Sequence, residues 1–143
     1  ADLLQWTPDR QFDAILLDAP CSATGTIRRH PDLPHLKKPS GIAPLVELQK
    51  AMLDKAIELL RPGGTLVYAT CSLEPSEGPD HIERLLAQRD DMSLSEIEPD
   101  EVDGRAEWLI KGRLRTLPFY LQLSDPDLSG MDGFFAARLT KRQ

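Results

Sequence analysis

The chain has 143 residues, 41% of them hydrophobic and 28% charged, with a net charge of −6. That is enough apolar content for a real core in one domain or part of one, and it excludes a chain that is disordered on composition. The acidic balance excludes nucleic-acid binding through overall charge, so any polyanion has to meet a local patch.

No apolar run approaches the ~18 residues of a spanning helix, and no charged-then-apolar leader is visible. We therefore expect a soluble, cytoplasmic protein that uses no membrane. In that compartment thiols stay reduced, so the two cysteines, Cys21 and Cys71, read as chemical rather than structural.

The chain opens on Ala1 to Trp6, turns through Pro8 and Asp9, and by Phe12 is already in a core strand. A doubly wound domain makes its cofactor loop after its first strand, and no Gly-rich strand-to-helix loop precedes Phe12. The sequence reads as the later half of such an α/β domain, with residue 1 an internal cut. Ala14-Ile15-Leu16-Leu17 is the unbroken apolar run expected of a parallel strand covered on both faces. It ends in Asp18-Ala19-Pro20-Cys21-Ser22, at the strand's carboxyl end, where open α/β sheets place their ligands.

From Ser22 to Pro44 the chain is too punctuated by Gly and Pro for a helix. Within this loop Arg28-Arg29-His30 and Lys37-Lys38 concentrate positive charge, with only Asp32 against them. The group is either a solvated surface or a phosphate-contacting loop. Between Leu45 and Leu60 the apolar residues recur at helical spacing, with Pro44 placed for the first helical position and Arg61-Pro62-Gly63-Gly64 as the stop. Thr65 to Thr70 then reads as a second buried strand running into Cys71-Ser72.

Strand, crossover helix and strand form a βαβ unit with two parallel strands. If these are neighbours, ~5 Å apart, both thiols face one cleft. The bland alternative is two buried small residues. Further on, Ser76 is placed to cap a second helix from Pro79 to Arg89, Met92 to Pro99 holds a short strand, and Asp100 to Ser129 is irregular. Asp132-Gly133 turns the chain into a terminal strand, Phe134 to Leu139.

Two cysteines and three histidines at unrelated spacings match no metal pattern, so no metal is expected. A dithiol redox centre would place its thiols in a C-x-x-C segment, and Gly63-Gly64 is a helix stop rather than a phosphate cradle. Nucleophilic catalysis remains: a thiolate attacks an electron-poor carbon while a second group handles protons.

The set DAPCSATG, RRHPD, GGTLVYATCS and DGFFAARL, in this order, resembles the Sun (Fmu) family of RNA cytosine-5 methyltransferases, close in the first half and loose between Ser93 and Ser129. The resemblance implies a Rossmann-like methyltransferase fold, of which residues 1–143 are the carboxyl-terminal part of the catalytic domain. It implies S-adenosylmethionine as cofactor and ribosomal RNA as substrate, in bacteria the 16S RNA of the small subunit. It makes Cys71 the nucleophile and Cys21 the residue that helps release the product. Asp18 would lie near the methionine end of the cofactor and Asp2 against its adenine. Pro20 and Ser72 would lie at the target base, which has to be unstacked to be reached, and Arg28 and Arg29 would hold flanking phosphates. His30 is expected to be structural.

The family's cofactor loop and amino-terminal RNA-binding part have no counterpart in the sequence, so residues 1–143 alone are expected to bind S-adenosylmethionine poorly and to be inactive. The rivals are a DNA cytosine-5 methyltransferase, in which Cys21 would be the nucleophile, and a silent RNA-binding or scaffold module.

Overall fold

The computed structural model describes residues 2–36 and 39–143. Lys37 and Lys38, two of the basic loop residues, lie outside the described residues. In chain order the elements are β1 (Phe12–Asp18), the short α1 (Leu33–Leu36), α2 (Ile42–Leu59), β2 (Leu60–Thr70), α3 (Pro79–Gln88), β3 (Met92–Leu94), β4 (Leu109–Ile110), β5 (Arg113–Thr116) and β6 (Phe134–Lys141). One sheet runs in the order β1-β2-β6-β5-β4, and β3 joins the far edge of β6 beside β5. Among the described residues only β1 and β2 are parallel to each other; β6 is antiparallel to β2, β3 and β5.

The βαβ unit forms for the reasons its pattern gives. In α2, Gln49, Leu53, Ala56 and Ile57 fall on one stripe and are buried against the sheet, and Leu60 continues it. Glycine and proline after Leu60 end the helix, with Gly63 at φ 75°. Lys141, at the end of β6, donates from Nζ to the carbonyls of Ile57 and Leu60, both at 2.9 Å. A cation on the last carbonyls of a helix satisfies orphan acceptors and complements the helix dipole. The core proper is Leu66 and Tyr68 of β2, Phe135, Ala137 and Leu139 of β6, and Ile82 of α3. Tyr68 meets Phe135 and His81 edge-on.

Three expectations change. First, β1 is not covered on both faces: Leu17 is buried, but Ala14 is exposed and Leu16 is 71% exposed. It stands at the edge of the sheet, and among the described residues nothing packs over the face that carries Ala14 and Leu16. Second, α2 begins three residues before Leu45, with Pro44 inside its first turn, and α3 starts behind Gly78 rather than a Ser76 cap. Ser76 instead lies in a single 3-10 turn, Pro75–Glu77. Third, the stretch read as irregular contains a hairpin, β4 to β5, turned by Lys111 and Gly112, both at positive φ.

Candidate active site

The parallel ladder brings the two cysteines together. Asp18 pairs with Ala69, and the Ala19 amide donates to the Ala69 carbonyl at 3.0 Å before the strands part. Beyond that point Cys21 Sγ lies 3.5 Å from Cys71 Sγ, and both residues are half-buried. Burial, with the neighbouring thiol adding to it, pushes the Cys21 thiol up to about 12. Cys21 therefore carries its proton at neutral pH, and either thiol can be the donor across the 3.5 Å contact.

Several backbone contacts fix this pair. The Gly25 amide donates to the Cys71 carbonyl at 2.9 Å, and the Leu73 amide donates to Thr24 Oγ1 at 2.8 Å. Arg115, on β5, donates to the carbonyls of Ser72 and Leu73 at 2.9 and 2.7 Å. Burial lowers that guanidinium below its ordinary value, yet the two carbonyls give its charge hydrogen-bond partners.

Beneath the thiols sits a carboxylate that the sequence reading passed over. Glu77 is fully buried. Its Oε1 accepts from the Ser22 amide and from Gln49 Nε2, each at 3.0 Å. Its Oε2 accepts from the hydroxyls of Ser72, at 2.6 Å, and of Ser22. Burial pushes this carboxyl up, but the hydrogen bonds from Ser22, Ser72 and Gln49 outweigh it and hold it below the ordinary carboxylate value.

The second Gln49 hydrogen goes to the Pro20 carbonyl at 2.8 Å, so Gln49 Oε1 is left to accept from His81 Nε2 at 3.0 Å. Arg84 Nη2 donates to His81 Nδ1 at 2.9 Å. That fixes the Nε2–H tautomer, and burial together with the Arg84 charge lowers the imidazole below its ordinary value, keeping it neutral. Gln49 had a signal in the sequence, as a polar residue in the apolar stripe of α2. Glu77 had none, since an acid in a turn reads as solvated.

The remaining expected site residues divide. Pro20 is exposed beside Cys21. Asp18 is exposed at the end of β1, in line with Ala14 and Leu16, and Asp2 is exposed with its Oδ1 accepting the Leu4 amide at 3.0 Å. The Ser22 amide, a backbone donor of the Cys21 loop, is held by Glu77. Ser72 is buried, with its hydroxyl donating to Glu77. Arg29 is gripped by Asp132, on both carboxylate oxygens, and Arg28 Nε stands 3.9 Å from the same group. Asp132, not Asp32, is the acid set against the basic loop. The Arg29 hydrogen bond holds the Asp132 carboxyl below its ordinary value. His30 is exposed.

A cavity of about 730 Å³ opens beside this site between the basic loop and α2. Ser22, Thr24 and Glu74 form its polar end, with Ile27, Leu33 and Leu45 among its apolar walls. Neither cysteine lines it. Among the described residues no three His, Cys, Asp or Glu side chains gather as a metal site. No described helix is long and apolar enough to cross a membrane.

Residues 1–140 match the family of 16S rRNA methyltransferases RsmB/F. The chain belongs to that family. Ribosomal RNA small subunit methyltransferase B of Photorhabdus laumondii is 45% identical over 137 residues, which are 96% of this chain and 28% of the relative. The protein of the same name from Shewanella oneidensis is 43% identical, over 99% of this chain and 30% of its own length. The chain thus spans under a third of these curated relatives. Among solved structures, NSun6 from Pyrococcus horikoshii superposes with a TM-score of 0.70 at 28% identity, over 95% of this chain and 32% of that one. A methyltransferase homologue from the same organism gives 0.61 at 33% identity, over 93% and 40%. The fold is the Rossmann-like methyltransferase fold, with the parallel pair and the terminal strand that the sequence pattern led us to expect, the latter running antiparallel to β2.

Proposed function

We propose that residues 1–143 are the cysteine-bearing part of an S-adenosylmethionine-dependent RNA cytosine-5 methyltransferase whose substrate is 16S ribosomal RNA in the cytoplasm. The observation that carries this reading is the Cys21–Cys71 pair, 3.5 Å apart at the carboxyl ends of two parallel strands. β1 is the edge strand of the sheet among the described residues, so its outer backbone edge is open to pairing with a further strand.

Cytosine C5 is a poor nucleophile until a thiolate adds to C6. Cys71, the cysteine that the family resemblance makes the nucleophile, is the group that adds as its thiolate, forming the Sγ–C6 bond and making C5 enamine-like. The cofactor, when bound, supplies a methyl group on a sulfonium. Once C5 is methylated, its proton is removed, the electrons return to the C5–C6 bond and the Sγ–C6 bond breaks. A separate base takes the C5 proton, and Cys21, protonated beside the departing sulfur, would assist release by giving that sulfur its proton.

The residues present fit the cofactor in one respect: among the described residues no cation is paired with Asp18 or Asp2, so both carboxylates are open to amino and ammonium donors, Asp18 at the methionine end and Asp2 at the adenine. Pro20, exposed beside Cys21, would pack on the extruded base, which must leave its stack to reach the thiols. Arg28 is the freer of the two arginines for a phosphate, since Arg29 is already committed to Asp132.

The DNA reading, with Cys21 attacking, is disfavoured by the burial that keeps that thiol protonated. The test is adduct formation between the full-length protein and RNA carrying 5-fluorocytosine. Cys71→Ala abolishes the covalent band and Cys21→Ala keeps it; the reverse pattern overturns the assignment.

A further inference from the structure

We propose that Glu77 is the positioning residue of the two-cysteine site: its carboxylate grips Ser22 on one strand end and Ser72 on the other, and so sets the separation of Cys21 and Cys71. This rests on the reading in which those thiols attack and release.

Glu77 is six positions past Cys71, in the turn ahead of α3, and it is fully buried. An ionised carboxylate only accepts, with about four lone-pair sites, and four donors surround this one: the Ser22 amide, the Ser22 hydroxyl, the Ser72 hydroxyl and the Gln49 amide. Each serine directly follows a cysteine in the chain. The two hydroxyls also meet each other at 3.1 Å, so the two strand ends share one set of bonds.

Among the described residues no salt bridge reaches Glu77. A buried carboxylate without a counter-charge is costly and persists only where donors saturate it. Simple packing would be served better by an apolar side chain of the same size. What the carboxylate adds is direction, because both serines must point at one group. The chain of Arg84, His81 and Gln49 in turn orients the donor that α2 contributes.

The test uses the full-length protein and two probes. Phenylarsine oxide takes two neighbouring thiols at once, forming two As–S bonds and releasing one water, so its affinity reads the separation of the pair. Glu77→Gln replaces one acceptor oxygen by an NH2 that faces donors. We expect it to weaken arsenical binding about tenfold or more, while iodoacetamide still alkylates each thiol. We expect kcat for RNA methylation to fall about a hundredfold with KM values within about twofold, since a misplacement near 1 Å costs that much in rate.

Wild-type arsenical affinity and wild-type kcat in a folded Glu77→Gln protein would overturn the proposal, as would a change confined to KM. If Glu77→Gln does not fold by circular dichroism, Ser22→Ala, which removes one donor and leaves the carboxylate, must show the same two losses in smaller measure; finding neither overturns it equally. Should the wild-type protein methylate no RNA and yet lose arsenical affinity on Glu77→Gln, the positioning of the thiols stands and the assigned reaction fails.

Discussion

The Gly133 amide donates to the Gly25 carbonyl at 2.8 Å, and the Gly25 amide donates in turn to the Cys71 carbonyl. Three distant segments, the Cys21 loop, the Cys71 loop and the turn before β6, meet at a point with no room for a side chain. A Cβ at Gly25 would fall 2.0 Å from the Gly133 oxygen and 2.8 Å from the Cys71 oxygen. Both are backbone atoms, so neither can swing away. Gly25→Ala should therefore cost about 3 kcal/mol or more, the upper end of overpacking penalties, and should part the two thiols. Urea denaturation of the full-length protein checks this; a loss under about 1 kcal/mol would mean that the three segments are not locked together as described.

The protonation of Cys21 can be read directly in a Cys71→Ala background, which leaves burial, the main cause of its raised value, in place. An ordinary thiol is half ionised at about 8.5. The rate of iodoacetamide attack on Cys21 should keep rising well past that point, with its midpoint above about 10. The same shift makes a stability statement. A thiol whose folded value is raised stabilises the fold fully below the unfolded value, and that stabilisation is lost as pH rises towards the folded value of about 12. An alkylation midpoint near 8.5 would show Cys21 to be solvated and would remove the argument against Cys21 as the attacking thiol.

Much of the fold was legible because β2 and α2 obey simple periods. Leu66 and Tyr68 are fully buried on β2, and Leu53, Ala56 and Ile57 make the stripe of α2. What escaped was whatever depends on the partner of an element rather than on its own pattern. Leu16 is apolar inside an apolar run, and nothing in β1 itself reveals that one face is open. The hairpin of β4 and β5 is built from strands of two and four residues, too short for alternation to show, on a Lys-Gly turn that lacks the usual Asn or Asp. The thiols were legible from position alone, because a parallel βαβ unit forces equivalent strand ends together. Their support was not: Glu77 becomes buried only because Ser22, Ser72 and Gln49 arrive from three separate segments.

His81 gives the site an acid limit. It sits fully buried between Gln49 and Arg84, and its lowered value means that the unfolded chain takes up a proton before the folded one does. The sign follows from that order: stability is full above about 6.5, the unfolded value, and is lost as pH falls below it. Glu77, also lowered, acts in the same direction at more acid pH, holding stability above the ordinary carboxylate value and losing it as pH falls further. The urea midpoint of the full-length protein should fall between pH 7 and pH 5, and His81→Gln should flatten that slope even if it lowers the plateau. An unchanged slope in the variant would show that His81 is not the group that titrates.

Leu16 carries the last expectation. It is 71% exposed on the unpaired edge strand β1, next to exposed Ala14, and Leu3, Trp6, Phe12 and Ile15 line a further apolar hollow of about 210 Å³ beside it. An open, apolar strand edge is a template for pairing with another chain, and lysine on such an edge blunts it. Residues 1–143 prepared alone should self-associate, and Leu16→Lys should shift them towards a single-chain mass by light scattering. In the full-length protein the same substitution should do the opposite kind of damage, because any element packed over this face of β1 would leave the lysine charge buried without a partner, at a cost of several kcal/mol. The two experiments separate the possibilities cleanly: a harmless Leu16→Lys in the full-length protein would show that this face of β1 stays open to solvent.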